Sequence, residues 1–173
     1  YQSSSGSFAE APYQLPKAPT GDAGTYQFAP YLDQDGLECV LAWNTNTGKS
    51  RLFFYQSSTK TFEASSYQLP ENPTGDAGKF HMEPYLDQDG LKCVMVTNIV
   101  TGVSKLYFYQ ASTKTFELAN YQLPAKPTGD EGSFYCIPYL DQDGLECVLT
   151  YNSKTGKSVL YYYSSDSRAF EKS

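Results

Sequence analysis

The sequence is poor in the residues that catalysis most often uses, since it holds a single histidine, His81, among 173 residues. A Ser-His-Asp or Cys-His catalytic group would have to use that residue. No G-x-S-x-G motif accompanies it, and the positions that match it in the repeats described below hold Gln27 and Tyr135. There is also no glycine-rich phosphate loop ahead of a helix. We therefore predict no catalytic residue and interpret His81 as a strand or surface side chain.

Long apolar runs and a basic charge balance are missing as well. No segment has the length of apolar sequence that a membrane span needs. With 19 acidic against 13 basic residues, the formal net charge is −6. A surface of that sign repels phosphate groups, so nucleic acids and anionic membranes are poor partners. We predict neither nucleic-acid binding nor membrane insertion.

Cysteine is scarce, with four residues and no C-x-x-C pair. Together with the single histidine, this predicts no metal site and no cofactor. Cys39, Cys93 and Cys147 take equivalent places in strands, and we predict that they are buried and unpaired. Cys136 is predicted to lie diagonally from Cys147 on a paired strand, a spacing that disfavours a disulfide.

The evidence on localisation points in two directions. The chain opens at Tyr1 rather than at a methionine, which is consistent with a removed signal peptide and favours an extracellular protein. Unpaired thiols argue against secretion. The sequence therefore leaves the compartment open.

What the sequence does contain is one 54-residue unit in three tandem copies. The first motif of the unit, YQLP-x-x-PTGD-x-G, begins at Tyr13, Tyr67 and Tyr121. The second motif, PYLDQDGL-x-CV, begins at Pro30, Pro84 and Pro138. We predict a single repeat domain over 1–173, with units 13–66, 67–120 and 121–173. Residues 1–12 match the end of a preceding unit.

Each unit divides into four strand-like pieces separated by turn sequences. In the first unit these are Gly24–Leu32, Leu37–Trp43, Arg51–Gln56 and a fourth strand from Thr61 toward the next Y-Q-L. The turns between them are D-Q-D-G, N-x-x-T-G-x-S and S-S-T-K, and prolines mark the connection to the next unit. Helical periodicity is absent, so the predicted fold is all-β.

The second strand of the unit favours a β-propeller over a β-trefoil. Leu37, Cys39, Leu41 and Trp43 alternate on one face, while the other face carries Val40 and Ala42. Middle strands of propeller blades are apolar on both sides because blades pack face to face. A trefoil also has three four-stranded repeats and closes within one chain, so it stays the alternative.

Three blades are fewer than a propeller typically needs; a homodimer would give six, and further repeats beyond this sequence would also supply the missing blades. The ends of the chain support this. It is predicted to enter on a fourth strand, Ser7–Leu15, and to leave after a third, Val159–Tyr163, so that one end completes the blade begun by the other.

In its order of strands and turns, the unit resembles a β-propeller blade over almost the whole chain. The tryptophan-aspartate dipeptide of WD40 repeats, the Asp-box of sialidases and the Gln-x-Trp of ricin-type lectins are all missing. The resemblance implies blades and says little about function.

The connections between units carry the first candidate site. Each has an aspartate in Pro-Thr-Gly-Asp, which could accept sugar hydroxyls beside a tyrosine that offers a flat apolar face. The alternative role of the aspartates is turn formation. A further position, held by tryptophan, threonine or tyrosine in the three units, is either a stacking platform or core. The predicted ligand-binding residues are Asp22, Asp76, Asp130, Tyr31, Tyr85, Tyr139, Trp43 and Tyr151.

The D-Q-D-G turns are weaker candidates for calcium, because alternate carboxylates can point at one hard cation. The acidic residue that follows the turn in two units is Lys92 in the middle one, which argues against a common site. The alternative is a hairpin turn in which aspartates bond the local backbone. The candidate residues are Asp33, Asp35, Asp87, Asp89, Asp141 and Asp143.

Together these features predict a multivalent, lectin-like carbohydrate-binding module with weak sites between repeats, whose partners are glycans. The alternative is a non-catalytic scaffold that self-assembles into a homo-oligomeric propeller. A glycoside-cleaving enzyme is a third hypothesis, which the lack of an asymmetric acid–base pair disfavours.

Overall fold

The computed structural model describes residues 14–32, 36–66 and 68–173, which form strands, turns and irregular segments. The first repeat contains β1 (Tyr26–Leu32), β2 (Glu38–Asn44), β3 (Ser50–Gln56) and β4 (Thr61–Ala64). The second contains β5 (Phe80–Leu86), β6 (Lys92–Asn98), β7 (Ser104–Gln110) and β8 (Thr115–Leu118). The third contains β9 (Phe134–Leu140), β10 (Glu146–Asn152), β11 (Ser158–Ser164) and β12 (Ala169–Lys172). These described ranges hold no helix long and apolar enough to cross a bilayer.

The strands form three antiparallel four-stranded sheets, each built from one repeat and each in sequential order. We call them blade 1 (β1–β4), blade 2 (β5–β8) and blade 3 (β9–β12). The first strands β1, β5 and β9 lie side by side, and β2 and β6 contact the first strand of the following blade. This confirms the predicted all-β fold of propeller-like blades. A trefoil, whose repeats contribute strands to a common barrel, is not the arrangement that the chain adopts.

The first three predicted strands of a unit match the observed ones to within two residues. The fourth ends earlier than predicted, at Ala64, because a side chain takes over the next backbone donor of β3. Gln68 Oε1 accepts a hydrogen bond from Leu52 N at 2.8 Å, and Gln122 does the same for Leu106 in blade 2. The glutamine of Y-Q-L-P therefore lets the chain leave the sheet without orphaning a donor.

The predicted completion of one end of the chain by the other is wrong for blade 3. That blade has its own fourth strand, since β12 pairs with β11 through Tyr163 opposite Phe170. The chain therefore does not leave after a third strand. The entering strand predicted at Ser7–Leu15 lies almost wholly outside the described residues.

Apolar faces of neighbouring blades meet to form the core. Leu41 and Trp43 of blade 1 pack against Val94 of blade 2. Val40, on the opposite face of the same strand, is buried too, as predicted. Leu37 lies before the strand and is 48% exposed, so it does not belong to the predicted face.

Hydrogen bonds also join consecutive blades at the start of their first strands. Phe80 N donates to Thr45 O at 2.8 Å, and Phe134 N donates to Ile99 O at 2.9 Å. In the core between blades 1 and 2, Trp43 Nε1 donates to Phe80 O at 3.0 Å. Blade packing thus satisfies the backbone groups at this end as well as burying apolar surface.

All four cysteines lie within the described residues, are buried and form no disulfide, as predicted. Cys136 lies opposite Thr150, whereas Cys147 lies opposite Tyr139. The two cysteines are therefore three positions apart in register and point to opposite faces, not diagonal neighbours as the sequence indicated.

Fully buried asparagines organise the turns between the second and third strands. Asn98 Oδ1 accepts Val100 N at 3.1 Å, and its Nδ2 donates to Ala77 O at 3.2 Å. A side chain on Gly78 would overlap the Asn98 amide, so glycine is required there. Asn44 and Asn152 hold the equivalent positions.

We expect Asn98→Ala to lower the free energy of unfolding by about 2 kcal/mol, because it leaves buried backbone groups without partners. Urea unfolding measures the change. Asn46→Ala is the matched control, since Asn46 is an exposed turn residue of blade 1. Equal effects of the two substitutions would contradict this role of Asn98.

Candidate functional site

Blades 2 and 3 leave a cleft of about 540 Å³ between them. It lies at the end of the sheets where the turn after β5 and the turn after β11 come together. We call it the 2–3 cleft. The charged and aromatic residues of its wall are Asp87, Asp89, Phe108, Tyr121, Glu146, Tyr163 and Arg168.

One side of the 2–3 cleft is aromatic. Tyr121, in the connection that crosses from blade 2 to blade 3, lies with its ring centroid 4.4 Å from that of Tyr163 and 5.6 Å from that of Phe170. The neighbouring Gln122 is tied to Leu106, which fixes where the connection crosses. The rings therefore form a supported, partly exposed apolar wall of the kind that the apolar face of a sugar contacts.

In contrast to the aromatic wall, another part of the cleft lining is a buried carboxyl group. Glu146 opens β10 and exposes only 1% of its surface, and its Oε1 accepts a hydrogen bond from Tyr85 OH. Burial raises the pKa of Glu146; the Tyr85 bond lowers it in part, while Asp87 and Asp89 raise it further. A carboxyl group in this setting ionises more readily when a cation or further donors approach it.

Tyr85, Tyr121 and Cys93, which lie around Glu146, have raised pKa values and stay protonated. Burial, and then the charge of Glu146, raise the pKa of Tyr85 and of Tyr121 above the usual value. Burial and then Asp87 raise the pKa of Cys93 in the same way. The charged groups that shift the pKa of Glu146, Asp87 and Asp89, are both negative.

Asp87 mainly organises the turn at the cleft. Its Oδ1 accepts Asp89 N at 2.9 Å and Leu91 N at 2.8 Å, and Cys93 Sγ lies 3.7 Å from its Oδ2. Asp141 makes the two equivalent amide bonds in blade 3. This is the hairpin-turn alternative given above for the D-Q-D-G sequence.

Of the other calcium candidates, Asp33 and Asp35 lie outside the described residues. In the parts of the chain that are described, no three or more His, Cys, Asp or Glu side chains are placed to hold a metal ion.

Between blades 1 and 2, Lys92 stands where Glu146 stands between blades 2 and 3. It is also buried, at 6% exposure, and its Nζ lies 5.3 Å from the ring centroid of Tyr109, the equivalent of Tyr163. The same position of the wall thus holds a buried cation in one interface and a buried carboxyl group in the next.

A row of aromatic rings runs across the first strands. The ring of His81 lies 5.9 Å from that of Trp43 and 5.2 Å from that of Tyr135, which stacks on Tyr151 at 5.1 Å. His81 Nε2 is 2.7 Å from Glu83 Oε1. The histidine is therefore a partly buried strand residue that packs among rings.

The predicted aspartates lie at the other end of the sheets and are engaged in turns. Asp130 accepts hydrogen bonds from Thr128, from Thr155 at 2.8 Å and from Asn152 at 3.0 Å. Thr128, Asn152 and Thr155 lower the pKa of Asp130 to about 2. Asp22 and Asp76 have equivalent threonine partners, whose bonds lower the pKa on balance although burial raises it.

The structure therefore does not bring the predicted aspartates and tyrosines together. Tyr31 packs against the core between blades 1 and 2, Tyr85 donates a hydrogen bond to Glu146, and Tyr139 is exposed on blade 3. Trp43 is buried in the core, and Tyr151 belongs to the row of rings.

Sequence reasoning missed Tyr121, Tyr163, Arg168 and the role of Glu146. Only the last left a signal, the exchange of glutamate for lysine at one position of the repeat. The others come together because the connection crosses a blade interface, which spacing along the chain does not reveal.

No protein-family model matches the chain, and no curated protein matches it in sequence. Among solved structures, fructan 1-exohydrolase IIa from Cichorium intybus, in complex with 1-kestose, is similar with a TM-score of 0.51 and 13% identity. The match covers 82% of this chain and 31% of that one. A fucose lectin from Kordia zhangzhouensis, in complex with methyl-fucoside, matches with a TM-score of 0.47 and 15% identity, over 85% of this chain and 97% of that one. The three four-stranded sheets make the chain a protein of propeller-type blades, and at these identities the likeness to solved structures concerns the fold alone.

We expect Glu146→Gln to stabilise the protein increasingly as pH rises above 4.5, the ordinary pKa of glutamate. Because the pKa of Glu146 is raised in the folded state, the unfolded chain ionises first and the wild type loses stability as pH rises toward the folded pKa. Urea unfolding between about pH 4 and about pH 8 tests this. The exposed, equivalent Glu38 provides the control, Glu38→Gln. Parallel pH profiles for the two variants would show that burial of Glu146 has no such cost.

Proposed function

We propose that the protein is a lectin-like, non-catalytic carbohydrate-binding module and that a sugar unit binds in the 2–3 cleft. The observation that supports this most directly is the combination of a supported aromatic wall with buried hydrogen-bonding groups in one cleft of about 540 Å³. A ring of that kind contacts the apolar face of a sugar, while carboxylate and amide groups bond its hydroxyls.

The polar groups of the cleft suit hydroxyl recognition. Glu146 and Asp89 offer carboxylate oxygens, Asn120 an amide, and Arg168 a guanidinium at the rim. The proposal does not use Asp22, Asp76 or Asp130, whose oxygens accept bonds from threonines. A corresponding cleft between blades 1 and 2, with Lys92 in the place of Glu146, would make the protein multivalent.

The hydrogen bonds that the Asp87 carboxylate accepts within its own turn favour binding over hydrolysis. Glycoside hydrolysis needs two carboxyl groups on opposite sides of the scissile bond. Asp87 is engaged by the amides of its own turn and by Cys93. Asp87 is therefore a turn residue and not a member of such a pair, and we propose recognition of a sugar rather than its cleavage.

We expect Tyr121→Ala to weaken sugar binding at least about tenfold, because it removes an aromatic face that the sugar would contact. A glycan array identifies binders, and calorimetric titration then measures their affinity. Tyr162→Ala is the control, since Tyr162 lies on the same strand as Tyr163 and points to the other face of blade 3. Absence of binding to every glycan on the array would overturn the proposed function.

A second candidate function is assembly of the chain into a homo-oligomeric scaffold. Leu149, on the face of blade 3 that points away from blade 2, is 39% exposed, whereas its equivalents Leu41 and Met95 are 2% and 1% exposed under the following blade. Phe28 of blade 1 is 48% exposed where Met82 of blade 2 is buried. A second copy offers the same type of blade to cover each surface, and two copies would give six blades.

In this case light scattering on a size-exclusion column should give about twice the chain mass of 19.3 kDa. Leu149→Lys should return the protein to the single-chain mass, because it places a charge in the joint. Leu118→Lys, on an exposed residue of β8, should leave the mass unchanged. A wild type of single-chain mass would argue against the scaffold.

A further inference from the structure

Glu146 differs from the other residues that line the 2–3 cleft, because it is an almost fully buried carboxyl group. Three carboxyl groups, Asp87, Asp89 and Glu146, face one guanidinium, Arg168. Asp87 is held by turn amides, whereas the buried Glu146 accepts a hydrogen bond from Tyr85 OH. The uncharged hydroxyl of Tyr85 donates a hydrogen bond to this carboxyl group but does not neutralise its negative charge.

From this we infer that the 2–3 cleft selects sugars by their charge and that Glu146 determines which charge is preferred. The preferred ligand class is an amino sugar with a free ammonium group, and uronic and sialic acids are excluded. The inference rests on the proposed function, since it names the ligand class of the same cleft.

Electrostatics in the cleft supports a cation in the ligand. Glu146 is faced by Tyr85, Asp87 and Asp89 from blade 2 and by Tyr121 from the connection, none of which is positive. Cys93 and Cys147, which also sense its charge, are neutral when protonated. An ammonium group next to the buried Glu146 gains a charge-assisted hydrogen bond, whereas an anion meets three carboxyl groups against the single guanidinium of Arg168.

The repeat itself supplies a natural charge exchange at this position. Lys92 occupies it between blades 1 and 2, is also buried, and places its Nζ over the ring of Tyr109. The neighbours Tyr31 and Phe54 match Tyr85 and Phe108 of the 2–3 cleft. A lysine is therefore compatible with the wall, and Glu146→Lys is expected to fold.

The test is calorimetric titration of the full chain near pH 6 with methyl glycosides of glucosamine and galactosamine, of the matching neutral hexoses and of the matching uronic acids. We expect the amino sugars to bind about tenfold or more tightly than the uronic acids. Glu146→Gln should weaken amino-sugar binding about tenfold and change neutral-sugar binding less than about twofold. Glu146→Lys should abolish amino-sugar binding and strengthen uronic-acid binding.

A second readout separates a direct contact from a structural effect. An ammonium group next to Glu146 lowers the pKa of that carboxyl group, so amino-sugar binding should release protons and its heat should depend on the buffer. Glu146→Gln should remove this dependence, and Glu38→Gln should retain it.

Uronic acids that bind as tightly as amino sugars would overturn the inference, as would a Glu146→Gln variant that weakens all three sugar classes equally. If sugars bind without regard to charge, only the inference fails. If no sugar of any charge binds, the proposed function fails with it.

Discussion

A blade whose middle strand is apolar on both faces can be stable only when other structure covers both of them. Trp43 illustrates the consequence, because it is buried by blade 2 and its indole also donates to Phe80 O at the start of the next blade. Face-to-face packing therefore fixes the order of the blades and the position of the first strands. The same packing fixes where the connection between blades 2 and 3 crosses their interface, since its Tyr121 packs on Tyr163 and Phe170. The 2–3 cleft lies at the margin of this packing, beyond the apolar centre, where the two faces leave space for a ligand.

The polar ends of the sheets explain why the loops of the repeats are so similar. In the sequence, near-identity of the Pro-Thr-Gly-Asp connections suggested binding sites. In the structure, Asp130 and its equivalents join the connection to the turn between the second and third strands through threonines, and Asn152 joins the same two segments. Each of these bonds satisfies a group that would otherwise be left unpaired at a blade end. Packing of repeated blades therefore requires repeated loops, with or without a ligand.

Local patterns predicted the strands of the repeat but not the 2–3 cleft. Alternation of apolar residues and the D-Q-D-G and T-G turns located three strands of each unit to within two residues, because these features act over a few residues. The fourth strand ends early through Gln68, whose bond to Leu52 spans sixteen positions and leaves no local pattern. The 2–3 cleft combines a turn of blade 2, a turn of blade 3 and the connection between them. Its residues meet only because the blades pack, so no spacing within one repeat could reveal them.

The exchange of charge at one buried position shows that a repeated blade can change the charge inside an interface while keeping its packing. Glu146 and Lys92 open equivalent strands and are both buried. The wall accepts either sign because its tyrosines offer two kinds of contact. A phenolic hydroxyl donates to the carboxyl group, as Tyr85 does, and a ring face attracts an ammonium group, as Tyr109 does. Substitution at this position therefore leaves the apolar centre of the interface intact and changes the potential inside the cleft. If the 2–3 cleft binds a sugar as proposed, selection on ligand charge would act there independently of selection on blade packing.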